Sequence, residues 1–166
     1  MSEQNYEYSS YREKLIEHLF VSELMRLSWL EGSCDLEVAM PEVDAGCDVI
    51  AESNGFIRHI QLKSSTATAS TARVPINTSL AQKPSGCVVW IVFDADTGEL
   101  DSFRWFGGAP GEPLPDLSGL PAAKHTKANA QGVKAERKNT RILSKGKFTA
   151  AESVVEIYAL LFGKRT

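Results

Sequence analysis

Residues Asp44–Lys63 read Asp-Ala-Gly-Cys-Asp-Val-Ile-Ala-Glu-Ser-Asn-Gly-Phe-Ile-Arg-His-Ile-Gln-Leu-Lys, and the rest of the chain is organised around them. Asn54-Gly55 sits between two runs rich in strand-forming residues. That dipeptide supplies the positive φ angles of a tight type I′ turn, so the stretch predicts a β-hairpin. A two-residue loop fixes the register. Ser53 faces Phe56, and counting outward Asp48 faces Gln61 and Gly46 faces Lys63.

The register has a chemical consequence. Opposed residues of a hairpin have Cβ atoms about 4.5–5.5 Å apart and diagonal ones about 7–8 Å. Asp48, Gln61 and Lys63 therefore share one face at one end of the ribbon, with the Leu62 backbone carbonyl between the last two. A carboxylate, an amide oxygen and a backbone carbonyl, completed by water, suit Mg²⁺ or Mn²⁺. The lysine is a compact charge able to hold a phosphate or an attacking water. Glycine at 46 leaves room for a substrate backbone. Set against this is the reading of an ordinary hairpin whose Asp and Lys are solvated.

An acid entering a strand, a tight turn, then Gln-Leu-Lys resembles the signature of the PD-(D/E)XK nuclease superfamily, in the Q-x-K form seen among Mrr-like restriction endonucleases. Asp48 matches the first acid and Gln61-Leu62-Lys63 the second half; Cys47 stands where the family has Pro. The likeness covers roughly the first hundred residues. It implies a restriction-endonuclease-like core, a metal-dependent hydrolysis of DNA phosphodiesters, and an acid on a preceding helix turned to the same metal.

That helix is predicted over residues 11–30, with Ser9 or Ser10 as N-cap and Glu13 in its first turn. At 100° per residue Leu15, Ile16, Leu19, Phe20, Leu27 and Leu30 form one apolar stripe. Glu23 falls within the stripe, where an unpaired carboxylate is costly to bury, and is the first candidate for the helix acid. Glu17, at the stripe's edge, is the second; the alternative for both is pairing with Lys14 or Arg26. His18 lies on the polar side. Asp44 is a further acidic candidate, or a residue that shapes the turn. His59 shares the parity of Gln61 and either reaches a phosphate or packs across the strands.

At 166 residues the chain is long enough for one domain with a real core. No apolar run spans a bilayer, and residues 1–6 do not read as a signal peptide. Cys34, Cys47 and Cys87 lack metal-ligand spacing and read as buried, reduced thiols of a cytoplasmic protein. The net charge of −3 conceals a division: from residue 122 onward ten Lys or Arg stand against three Glu, a net of +7, leaving −10 for the rest. The basic stretch contains Lys124, Lys127, Lys134, Arg137, Lys138 and Arg141. It is either a nucleic-acid contact beside an acidic catalytic body or a solvated loop.

Along the chain, residues 1–10 read as disordered. Asp35–Met40 reads as a strand ended by Pro41, and 64–72 as a flexible connector whose Ser64 and Ser65 either bind phosphate or merely connect. Arg73–Asn77 reads as an edge strand with Pro75, and 78–83 as a helical turn. Gly86–Asp94, apolar throughout, predicts a central strand covered on both faces, with 100–106 as its antiparallel partner. Residues 107–147 read as a long Gly/Pro-rich and then basic loop. Residues 148–162 predict a closing helix with Thr149 as N-cap and Glu152 as its capping partner.

The expected architecture is α/β, a single mixed sheet flanked by helices. The leading expectation is a Mg²⁺-dependent nuclease on DNA, targeted by a partner protein or a second copy. The alternatives are a catalytically inactive nucleic-acid-binding module and a protein-binding regulatory module.

Overall fold

The computed structural model describes residues 7–165. The expectation of disorder for residues 1–6 lies outside that range. Residues 9 and 10 are already helical, against the same expectation.

Helix α1 spans Ser9–Leu30. Strands β1 (Glu37–Ala39), β2 (Val49–Ser53), β3 (Phe56–Thr66), β4 (Arg73–Asn77), β5 (Gly86–Phe93) and β6 (Leu100–Gly107) follow, with a 3₁₀ turn at Thr78–Gln82. Then come β7 (Ala122–Lys124), β8 (Glu136–Ser144), β9 (Thr149–Ala151) and helix α2 (Val154–Phe162). Six strands form a mixed sheet in the order β1-β2-β3-β5-β6-β9, and β4-β8-β7 form a second sheet. In the large sheet β3 and β5 are parallel and the other neighbours antiparallel.

The two faces of the large sheet bury different layers. Val49, Ala51, Ile60, Val89 and Ile91 pack with Ile16, Phe20 and Leu24 of α1 and Ile157, Leu161 and Phe162 of α2. On the opposite face Cys47 and Val88 pack with Ile76 and Leu143 of the second sheet. Strand β5 lies between the two layers and is buried almost along its length, as its unbroken apolar run requires. The result is helices, sheet and small sheet in three layers, so the expected single sheet is in fact two.

Three further readings of the sequence are corrected. The expected loop over 107–147 contains β7 and β8. Its basic residues alternate with short polar ones and carry no apolar signal, because β8 has only one fully buried residue, Leu143. The closing helix begins later than residue 148, because 149–151 first pair with β6. Ser153 then caps α2, its hydroxyl accepting from the Glu156 N–H (3.3 Å), while Glu156 accepts from the Glu152 N–H (2.9 Å). Cys34 is exposed, unlike Cys47 and Cys87; burial pushes the Cys87 thiol up to about 12. Among the described residues no helix is long and apolar enough to cross a membrane.

One buried cation ties the hairpin to the end of the chain. Arg58 of β3 is fully buried. Its Nε donates to the Leu161 carbonyl (2.7 Å), and its terminal nitrogens donate to the carbonyls of Gly108 (2.8 Å) and Leu160 (3.1 Å) and to Ser85 Oγ (3.2 Å). The guanidinium also lies 5.2 Å from the Trp105 ring centroid. It thus satisfies carbonyls at the end of α2 that have no partner within the helix. Arg58→Ala strands these acceptors in the core and should cost about 3–5 kcal/mol, read by urea unfolding. Arg58→Lys should recover only part of it, since one ammonium cannot span three carbonyls.

Candidate functional site

The hairpin turn is as the sequence predicts: Asn54 and Gly55 both have positive φ, 53° and 77°. The ladder runs from Ser53↔Phe56 to Val49↔Ile60 and stops there. Strand β3 continues six residues further along β5, from 61 to 66, with no strand on its other side.

At the stopping point the register slips. The Asp48 N–H donates to the Ile60 carbonyl (2.8 Å), although Ile60 is already paired with Val49. Two residues of one strand thus stand against one of the other, as in a β-bulge. The Asp48 carboxylate turns into the gap, and its Oδ2 accepts from the Leu62 N–H at 2.7 Å. A side chain has replaced the next rung of the ladder. Strand geometry sends the Leu62 carbonyl to the same side as its N–H, into the fork where β2 leaves β3.

The fork holds a cavity of about 350 Å³. Asp48, Gln61, Leu62 and Lys63 line it, as do Glu13 and Glu17 from α1 and Arg73 from β4. Because it opens at a strand edge, it draws side chains from both the helix layer and the second sheet. The expected direct opposition of Asp48 with Gln61 and Gly46 with Lys63 is replaced by the bulge, yet the acid, the amide and the amine line one space. Gly46 leaves no room for a substrate: a Cβ there would meet Ser79 Oγ at 2.2 Å.

The helix acid at this cavity is Glu17, and the first choice, Glu23, is corrected. The buried stripe of α1 is Ile16, Phe20, Leu24 and Leu27, with Glu17 beside it, while Leu15 and Leu30 are exposed. The helix is rotated from the phase its leucines indicated. The Glu17 side chain is 11 % exposed and bonds the Lys14 ammonium at 2.7 Å; that of Glu23 is 35 % exposed, bonds Arg26 at 2.8 Å, and faces a separate cavity with Thr97 and Glu152.

The other candidates fall as follows. Asp44 lines the cavity but holds its own turn, with Oδ1 accepting from the Gly46 N–H (2.8 Å). Gln61 Oε1 accepts from the Asn77 N–H (3.2 Å), tying β3 to the second sheet. Ser64 lines the cavity, whereas Ser65 Oγ accepts from Trp90 Nε1 (2.9 Å). His59 is held between Ile50 and Gly86, outside the cavity. Its Nδ1 is buried without a hydrogen-bond partner among the described residues, and burial with nearby Lys83 lowers its pKa. His18 is exposed. Sequence reasoning missed Arg73, whose place is set by the pairing of β4 with β8.

The electrostatics are strained in both directions. Burial pushes the Asp48 carboxyl above the usual aspartate range, and Glu17 adds to this, while the Leu62 N–H and Lys63 pull it down. Burial lowers the Lys63 ammonium against the pull of Asp48, Glu13 and Asp44, and Arg137 of β8 lowers it further. Among the described residues no three His, Cys, Asp or Glu side chains gather as a metal cluster. The oxygens at the fork are the carboxylates of Asp48, Glu17, Glu13 and Asp44, the Gln61 amide and the Leu62 backbone carbonyl, a hard-donor set that fits Mg²⁺ or Mn²⁺ with water completing the shell. No family model matches the chain, and no curated protein matches it significantly.

Because burial raises the Asp48 pKa, the folded state holds that proton more tightly than the unfolded chain does. The contribution of Asp48 to stability therefore declines as pH rises from the ordinary aspartate range through the raised value. Asp48→Asn keeps an oxygen for the Leu62 N–H and removes the titration. Urea unfolding across that interval should show the wild type losing stability relative to the variant; parallel curves would contradict the assignment.

Proposed function

We propose that the chain is a divalent-metal-dependent nuclease that hydrolyses phosphodiester bonds of DNA. The observation that carries this reading is the lining of the fork: Asp48 and Glu17 among four carboxylates, a backbone carbonyl and a half-buried lysine around one cavity, with Arg73 on its wall. The resemblance of Asp48 and Gln61-Leu62-Lys63 to the PD-(D/E)XK pattern points the same way.

Asp48, through the oxygen not bonded to Leu62, would hold Mg²⁺ or Mn²⁺ together with Glu17 and the Leu62 carbonyl. Gln61 Oε1 has a second lone pair to offer beside its bond to Asn77. When bound, the ion supplies Lewis-acid polarisation of the phosphate and a more acidic water. Lys63 orients that water and offsets negative charge developing on the phosphate, and its desolvation strengthens both effects. Lys14, with its side chain 70 % exposed, would be free to leave Glu17 to the ion. Arg73 holds a neighbouring phosphate.

The binding-only alternative draws on one observation. The bond from Asn77 to Gln61 gives the glutamine a structural task that an inert fold would also need.

The test uses plasmid and single-stranded DNA with Mg²⁺ or Mn²⁺. Asp48→Asn and Lys63→Ala should each lower cleavage by about 10²-fold or more. Glu17→Gln should lower it too, while Glu23→Gln leaves it within about twofold. Cleavage that persists in both Asp48→Asn and Lys63→Ala rejects the mechanism. Salt-sensitive DNA binding with no cleavage under any divalent ion selects the binding-only reading.

A further inference from the structure

The β7–β8 hairpin extends beyond the body of the protein. Every residue from 124 to 139 is exposed. Pairing continues past Lys124↔Glu136, with the His125 N–H on the Ala135 carbonyl and the Asn129 N–H on the Val133 carbonyl (both 2.8 Å), to a turn at 129–132. With a bend at residues 126–127, and at no more than about 3.3 Å per residue, this is an arm of at most roughly 20 Å. A two-stranded ribbon with neither face covered is at best marginally stable in water. Composition indicates what covers this one. Residues 124–139 hold Lys124, Lys127, Lys134, Arg137 and Lys138 against a single acid, Glu136.

We propose that this arm docks in the major groove of B-form duplex DNA, positioning the duplex for the fork. The inference rests on the nuclease reading only for its last clause; the docking stands on the arm alone. B-DNA's major groove, about 12 Å wide, admits a two-stranded ribbon. The A-form groove of double-stranded RNA is too deep and narrow for side chains to read. The charge is complementary along the arm's whole length, and both exposed faces find a groove wall.

The root of the arm is built to aim it. Ala122 pairs with Arg141 but Ala123 with Arg137, so Lys138, Asn139 and Thr140 bulge from β8. The Arg141 guanidinium fixes this bulge by donating to the Lys138 carbonyl (3.0 Å). Arg141 therefore helps set the direction of the arm. The strand that carries the arm pairs with β4, whose Arg73 lines the cavity, so the sheet that bears the arm also forms one wall of the fork. The influence of Arg137 on Lys63 agrees with that proximity.

The experiment is fluorescence anisotropy of the full chain in chelator with three probes of equal length: duplex DNA, duplex RNA and single-stranded DNA. Duplex DNA should bind at least about tenfold tighter than either of the others. A DNA duplex with glucosylated hydroxymethylcytosines, which fill the major groove, should lose that advantage. Neutralising Lys127, Lys134 and Lys138 to Ala removes three phosphate contacts and should flatten the dependence of log K on log salt by about 2.7. These exposed changes leave the core intact, which circular dichroism checks. Equal binding of RNA and DNA duplexes, indifference to the filled groove, or an unchanged salt slope in the triple variant would each overturn the proposal. Docking that persists without cleavage under any divalent ion supports the arm and sinks the nuclease reading. Cleavage that is indifferent to the triple variant does the reverse.

Discussion

The site depends on a mismatch in strand length. Strand β3 runs eleven residues but β2 only five, so half of β3 has a neighbour on one side alone. Bare backbone at that edge would stay unpaired or invite another strand. The Asp48 carboxylate meets the first exposed N–H, that of Leu62, and thereby ends the ladder with a charged group in place of a rung. The bulge, the fork and the convergence of groups from both faces of the sheet all follow from that substitution.

The same arrangement sets function against stability. The half-buried Asp48 carboxylate and Lys63 ammonium both sit where burial disfavours the charged form; the Leu62 N–H and then Lys63 relieve the carboxylate, and Asp48 is the main relief of the ammonium. Packing alone would be better served by apolar residues here. The bond from the Asn77 N–H to Gln61 Oε1 meanwhile makes the wall of the cavity part of the seam between the two sheets, so the position of the basic sheet is coupled to the site.

Much of this was legible in the residues, for identifiable reasons. The Asn54-Gly55 turn, the apolar run of β5 and the edge strand with Pro75 carry local signals, and each lies where those signals put it. The grouping of Asp48, Gln61 and Lys63 followed from register alone, although the bulge that completes it did not. Failures came where tertiary contacts override local pattern. Two leucines of α1 face water, which displaced the apparent phase of the helix and favoured Glu23 over Glu17. Strand β8 takes its conformation from its neighbours β4 and β7, so a polar, basic stretch gave no period to read. The start of α2 was hidden by three residues whose backbone is claimed by β6.

Arg58 also bears on the order in which the molecule is completed. The hairpin that carries it is local and forms from adjacent residues, but the Leu161 carbonyl it needs lies 103 positions downstream. Until the last helix arrives, that guanidinium must stay hydrated, and the core between hairpin and helices cannot close around it. A nascent chain emerging from the ribosome thus carries Asp48, Gln61 and Lys63 early but holds them on an unsealed scaffold. Only when residues 160–161 are in place do hairpin and helix lock together, so closure of this core waits on a segment 103 positions beyond Arg58.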